Sequence, residues 1–240
     1  MRCRLHFVVI AIGLLSWLGA TAARAAVVAG QVDDFENGAL QSWDTGPNNI
    51  NPGVNVSGGG PAGADDNFLR LTANGGGSGG RLVAFNQDQW KGNYLAAHVD
   101  EIRMEVNSFL VASPPATGQE TLNLRLILFD TIDGITLSTV ANVFVTPGSG
   151  WQTVTFPLTA ANLTGGNIAT ALANVTELDL VHSRTNEPLF LRASSPPVVA
   201  QLGVDNIRAV PVPEPAGVGV AGVMLAARVM SRGRGHSIRA

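Results

Sequence analysis

The 240-residue sequence has one cysteine, Cys3, and one lysine, Lys91. A single cysteine this close to the N-terminus excludes a disulfide framework and leaves no thiol chemistry for the body of the chain. Aromatic residues make up 6% and charged residues 14%. The first figure is low for a surface devoted to stacking on polysaccharide. Histidine is scarce as well: only His98 and His182 lie in the body of the chain, too few for a three-histidine zinc site and not in His-x-x-x-His spacing. The Gly-x-Ser-x-Gly arrangement of a nucleophile elbow is absent, since Gly148-Ser149-Gly150 has the residue types without the spacing and reads as a turn. Neither a lysine nor a helix start follows Gly75-Gly76-Gly77-Ser78-Gly79-Gly80, so this run is a flexible turn and not a phosphate loop.

What is present begins at the two ends. Arg2 and Arg4 precede Phe7 to Gly19, a stretch apolar apart from Ser16, and Ala23-Arg24-Ala25 follows with small residues at cleavage spacing. These are the parts of a secretory signal peptide over residues 1–25, cut before Ala26. At the other end, Val212-Pro213-Glu214-Pro215 is followed by an apolar run over 216–227 and then by Arg228, Arg232, Arg234 and Arg239. The two prolines fix φ and remove backbone donors, so any preceding strand stops there. The apolar run gives a short transmembrane helix, well under the roughly 20 residues of a full span, with a positive cytoplasmic end. A spacer, a short apolar helix and an arginine cluster in this order resembles the PEP-CTERM sorting signal of Gram-negative bacteria. The resemblance implies an exosortase-type membrane peptidase as partner, cleavage near Val212 to Pro215, transient retention in the inner membrane through the C-terminal helix, and export to the cell envelope or the extracellular matrix.

Between the two addresses lies one domain, residues 26–211. It keeps eight basic against seventeen acidic side chains, a net charge of −9. That surface repels nucleic acid and suits an exported protein able to hold divalent cations. Glycine, threonine, asparagine and valine are plentiful, as in an all-β domain with many turns. The first strand is read from Val27 to Glu36. Phe68–Thr72 and Arg81–Phe85 read as a hairpin across the glycine turn. Alternation then marks strands over Glu101–Leu110, Thr121–Phe129, Thr136–Val145, Trp151–Leu158, Glu177–His182 and Leu202–Val210, with a weaker one at Leu189–Arg192 and one short helix within Gly165–Asn174. Nine or ten short strands separated by turns predict an all-β fold, a jelly-roll β-sandwich.

Asp34 and Glu36 stand two apart on the first strand, hence on one face, and Asp205 sits in Gly203-Val204-Asp205-Asn206-Ile207 on the last; the terminal strands of a jelly roll are expected to be neighbours, which would let these acids converge. These stretches, with Trp151-Gln152-Thr153-Val154, resemble galactose-binding-like, carbohydrate-binding jelly rolls. In those modules an early Asp-Phe-Glu and a late Val-Asp-Asn-Ile flank a structural calcium. The resemblance implies calcium held by Asp34, Glu36 and Asp205, with Asp33, Asp65 and Asp66 as weaker candidates; hard carboxylate oxygens are the right donors. Trp90 and Tyr94, in Gln89-Trp90-Lys91-Gly92-Asn93-Tyr94, are the best pair of rings for a sugar platform because their neighbours are polar. Trp151 reads as core. The carboxylates Glu177 and Asp179, interleaved with leucines, read as the solvated face of a strand and not as a glycosidase pair. The function expected is that of an exported, non-enzymatic structural or adhesive protein of an extracellular polysaccharide matrix. The alternative is a carbohydrate-binding module recognising exopolysaccharide, and the third reading is a glycan hydrolase.

Overall fold

The computed structural model describes residues 26–111, 119–184 and 186–211. The signal peptide and the sorting motif, with Val212, Pro213, Glu214, Pro215, Arg228, Arg232 and Arg234, lie outside the described residues, as does the apolar run 216–227. Among the described residues no helix is long and apolar enough to cross a membrane.

The regular secondary structure of the described chain is almost entirely strand. In order they are β1 (Val32–Asp33), β2 (Trp43–Asp44), β3 (Val54–Ser57), β4 (Asn67–Asn74), β5 (Val83–Asn86), β6 (Val99–Phe109) and β7 (Leu122–Asp130). There follow β8 (Ile135–Thr139), β9 (Val143–Val145), β10 (Gln152–Pro157), β11 (Leu163–Gly165), β12 (Glu177–His182) and β13 (Val199–Pro211). One helix, α1 (Ile168–Ala173), falls where the sequence predicts it, and the Asn167 side chain caps it by accepting from the Thr170 N–H. The first sheet runs β10-β6-β13-β4-β3 with β1 also paired to β13; the second runs β11-β8-β7-β12-β5-β2 with β9 also paired to β7. All these ladders are antiparallel, and the two sheets form a β-sandwich.

Period-two alternation builds the core between the sheets. Leu69 and Leu71 of β4, Met104 and Val106 of β6, and Leu202 and Val204 of β13 point inward from the first sheet. Leu122, Leu124, Leu126 and Leu128 of β7, with Leu178 and Leu180 of β12, meet them from the second. The expectation that the terminal strands are neighbours holds, since Asp33 of β1 pairs with Ile207 of β13.

Four expectations are corrected. Val27 to Glu36 is not one long strand: only Val32 and Asp33 pair, and Phe35 turns to a positive φ of 57°. Residues 68–85 do not form a hairpin, because β4 pairs with β3 and β13 in the first sheet while β5 pairs with β12 and β2 in the second. The glycine run carries the chain from one sheet to the other through a single 3-10 turn, Gly77–Gly79. The stretch 136–145 is two strands, β8 and β9, and Leu189–Arg192 is not a strand.

Candidate functional site

Phe35 is fully buried, and its left-handed backbone turns the flanking Asp34 and Glu36 outward. Asp34 Oδ1 closes the local turn, accepting from the Glu36 N–H at 3.3 Å and from Gln41 Nε2 at 3.4 Å. Glu36 reaches the start of β4, where its Oε1 accepts from the Asn67 N–H at 2.8 Å. Asp66 Oδ2 accepts from the Ala62 N–H at 2.6 Å. Asp205 is fully buried and accepts from the Asn206 N–H and Nδ2 at 2.7 and 2.9 Å, while the same Nδ2 donates to Glu105 at 2.9 Å. Burial pushes the Asp205 carboxyl up to about 7; the Asn206 N–H opposes this, and the charges of Asp66, Glu105 and Glu36 add to it. The fold thus brings Glu36 and Asp205 into one field of charge with Asp66 and Glu105, and leaves Asp34 in its turn. The donors are hard oxygens, which suits a divalent cation. Among the described residues, however, no three acidic or other ligating side chains converge as a metal-holding group.

Trp90 and Tyr94 are not a platform. Both are fully buried. Trp90 Nε1 and Trp43 Nε1 donate to the same oxygen, Oδ2 of Asp33, at 2.6 and 2.7 Å, and Gln89 Nε2 donates to both Asp33 oxygens. The Tyr94 hydroxyl donates to the Trp90 carbonyl at 2.7 Å. Burial raises the Asp33 carboxyl above the usual range, and the bonds from Trp90, Trp43 and Gln89 partly offset it. Polar neighbours that suggested an exposed loop are the hydrogen-bond partners of a buried one. Asp33 is therefore tied to two indoles.

The outward face of the second sheet is also more covered than its sequence suggests. Residues 186–198 lie across it as a strap. Leu189 packs on Val83, Ile127 and Val181, with Phe85 and Phe129 against the same cluster. Arg125 Nη2 donates to the Asn186 carbonyl at 2.8 Å, the Leu189 N–H to Ser138 Oγ at 3.1 Å, and Ser195 Oγ to the His182 carbonyl at 2.7 Å. The Arg192 guanidinium sits 4.0 Å from the centroid of the Phe85 ring, hydrogen-bonds Glu177 and lies 3.7 Å from Asp179. Gln87 also donates to Glu177. Glu177 and Asp179 are thus buried and not a solvated face. Neither oxygen of Asp179 meets a hydrogen-bond partner among the described residues. Burial, reinforced by Glu177 beside it and opposed by Arg192, pushes Asp179 up to about 9.

At the β2–β5 edge of this face the strap stops short and a groove opens. Phe85 lines a hollow of about 590 Å³ together with Ser42, Asp44, Gln87 and Lys91. A second hollow, of about 180 Å³, is bordered by Asn49, Ser78, Arg81 and Arg192, the residue that lies over the Phe85 ring. Hydroxyl, amide, carboxylate and guanidinium groups therefore surround one half-buried ring. That arrangement can hold a ligand with apolar faces and polar rims; nothing in it pairs a nucleophile with a base. Sequence reading places Phe85 in a hairpin and Arg192 in a weak strand. Only the pairing of β5 with β2 and the path of the strap bring them together, so no local signal marks this groove.

No protein-family model and no curated protein matches the sequence. Among solved structures, an exo-beta-agarase is similar with a TM-score of 0.51 and 13% identity over 77% of this chain and 26% of that one. The N-terminal CBM22-1-CBM22-2 tandem domain from Paenibacillus barcinonensis Xyn10C gives 0.44 and 19% over 80% of this chain and 48% of its own. A carbohydrate-binding module of the β-sandwich superfamily gives 0.42 and 14% over 77% of this chain and 62% of its own. This chain spans about a quarter of the agarase chain and about half of the tandem domain. The agarase likeness shows the sandwich fold alone, and the two weaker ones add nothing to it.

Proposed function

We propose that this chain is an exported, non-catalytic β-sandwich of jelly-roll type that binds polysaccharide of the cell envelope or extracellular matrix along the groove at Phe85. The observation that carries the reading is the half-buried Phe85 ring on the wall of a polar hollow, with Gln87 beside it and the Arg192 guanidinium over its face. Sugar rings present C–H faces to aromatic carbons and hydroxyls to amides, carboxylates and guanidinium groups. The structural or adhesive role read from the sequence is then what such binding serves in a matrix. Export through the signal peptide and processing of the Pro-Glu-Pro tail by an exosortase-type peptidase rest on the two ends of the sequence. A structural calcium belongs to the same reading, held by Glu36 and Asp205 with Asp66 beside them; when bound it supplies a positive charge among acids that otherwise repel one another.

Affinity electrophoresis in gels containing agarose, xylan or hydroxyethyl cellulose tests the binding. Wild-type protein is retarded in at least one of them, and Phe85→Ala and Arg192→Ala each restore free migration. Free migration of the wild type in all three, or full retardation of both variants, contradicts the reading.

A further inference from the structure

The outward face of the first sheet carries a second collection of rings that the groove does not use. Phe68 of β4, Phe109 at the end of β6 and Trp151 just before β10 gather with centroids 5.2 to 6.0 Å apart, Trp151 edge-on to both phenylalanines. They close over Gly203 of β13, where a Cβ would stand 2.7 Å from Trp151, 2.8 Å from Phe109 and 3.2 Å from Phe68. A glycine in a central strand weakens the strand unless something needs to approach its backbone; here three rings do. Phe109 and Trp151 remain partly exposed, and the Trp151 indole is held in place by donating to the Gly59 carbonyl at 2.9 Å.

Polar side chains stand in register with these rings. Gly203 pairs with Arg70 on one side and with Asn107 on the other, and Gln201 pairs with Phe109. Leu202 and Val204 point into the core, so Arg70, Gly203 and Asn107 form one outward row across three strands. Asn107 is 8% exposed. Beside it Arg70 Nε is buried and meets no hydrogen-bond partner among the described residues. Buried polar groups are nearly always satisfied, by protein, water or ligand. An unspent donor and a side-chain amide beside fixed rings are what a sugar ring engages with its hydroxyls and its C–H face together.

We infer that Trp151, Phe109 and Asn107, with Arg70 beside them, form a second glycan-binding site on the face of the sandwich opposite the groove. The inference shares with the groove reading only the class of ligand. Two sites on opposite faces would let one molecule bridge two polysaccharide strands.

Backbone-amide and indole NMR of the purified chain, titrated in turn with cellohexaose, xylohexaose and neoagarohexaose, tests it. The inference expects shifts at Gly203, Asn107 and the Trp151 indole that persist in Phe85→Ala, and about a tenfold loss of affinity at these signals in Asn107→Ala, the size of one hydrogen bond to a sugar hydroxyl. Trp151→Ala should abolish them, and Asn107→Ala, which leaves the ring cluster intact, covers the case in which the tryptophan variant fails to fold. Shifts confined to residues around Phe85 overturn this inference and leave the groove standing. Silence at both faces with all three sugars overturns both.

Discussion

Two buried carboxyls set how the molecule should respond to pH. Asp179 is pushed up to about 9 and Asp205 to about 7, each chiefly by burial. A carboxyl whose folded pKa lies above its unfolded one keeps a proton that the unfolded chain has released, so the folded state binds more protons between the two values and stability falls as pH rises through that window. The melting temperature should therefore decline from about pH 4 upward, with the Asp205 contribution ending near 7 and the Asp179 contribution near 9. Asp179→Asn should flatten the decline between pH 7 and 9 and raise the melting temperature there; thermal melts across that range check it, and an unchanged slope contradicts a buried acid whose carboxyl accepts no hydrogen bond. If calcium binds as proposed, it competes with the proton on Asp205. Millimolar calcium should raise the melting temperature at pH 8 by several degrees, less at pH 5.5, and not at all in Asp205→Ala. A melt indifferent to calcium and chelator at pH 8 removes the metal.

At the scale of elements, Asp33 does the tying. It joins β1 to Trp43 of β2 and to Trp90 in the turn that follows β5. Asp33→Ala leaves two indole N–H groups buried without an acceptor, at about 1–3 kcal/mol each. Chemical denaturation should show a loss of about 3 kcal/mol; a loss under about 0.5 kcal/mol would mean the indoles find other partners. The sequence could announce strands but not this knot. Leu122 to Leu128 alternate so cleanly that β7 and its inward face are legible, and the turn chemistry around Asn167 marks α1. Arg125 and Asp179 alternate with leucines in the same way, yet they are buried, because a strap more than sixty residues away from Arg125 returns to cover them. The same limit explains the hairpin that is not one. Phe68–Thr72 and Arg81–Phe85 each suit a neighbouring strand, and distant partners, β13 and β12, decide which sheet each joins. Trp90 in a polar stretch reads as exposed for the same reason. Local composition records which groups are polar, whereas burial depends on what arrives from elsewhere in the chain.

The described part of the molecule is a sandwich with an acidic body, and the two proposed addresses at its ends can be checked at once. The mature protein recovered from outside the inner membrane should have an intact mass beginning at Ala26 and ending between Val212 and Pro215; a secreted species that keeps Met1 and Ala240 contradicts the export reading. Of the candidate calcium acids, Glu36 and Asp205 were singled out from short motifs near the two ends of the domain, and the fold brings them into one field of charge. The groove at Phe85 was not, since it is assembled from β2, β5 and the strap. On the proposed function, this assembled ring, and not the buried Trp90, holds glycan. Isothermal titration with the best-bound polysaccharide, alongside a denaturation curve for each protein, decides between them. The account predicts that Phe85→Ala loses about tenfold or more in affinity with its denaturation midpoint nearly unchanged, whereas Trp90→Phe keeps wild-type affinity and unfolds at lower denaturant. Wild-type affinity in Phe85→Ala, with binding lost in a folded Trp90→Phe, would contradict it.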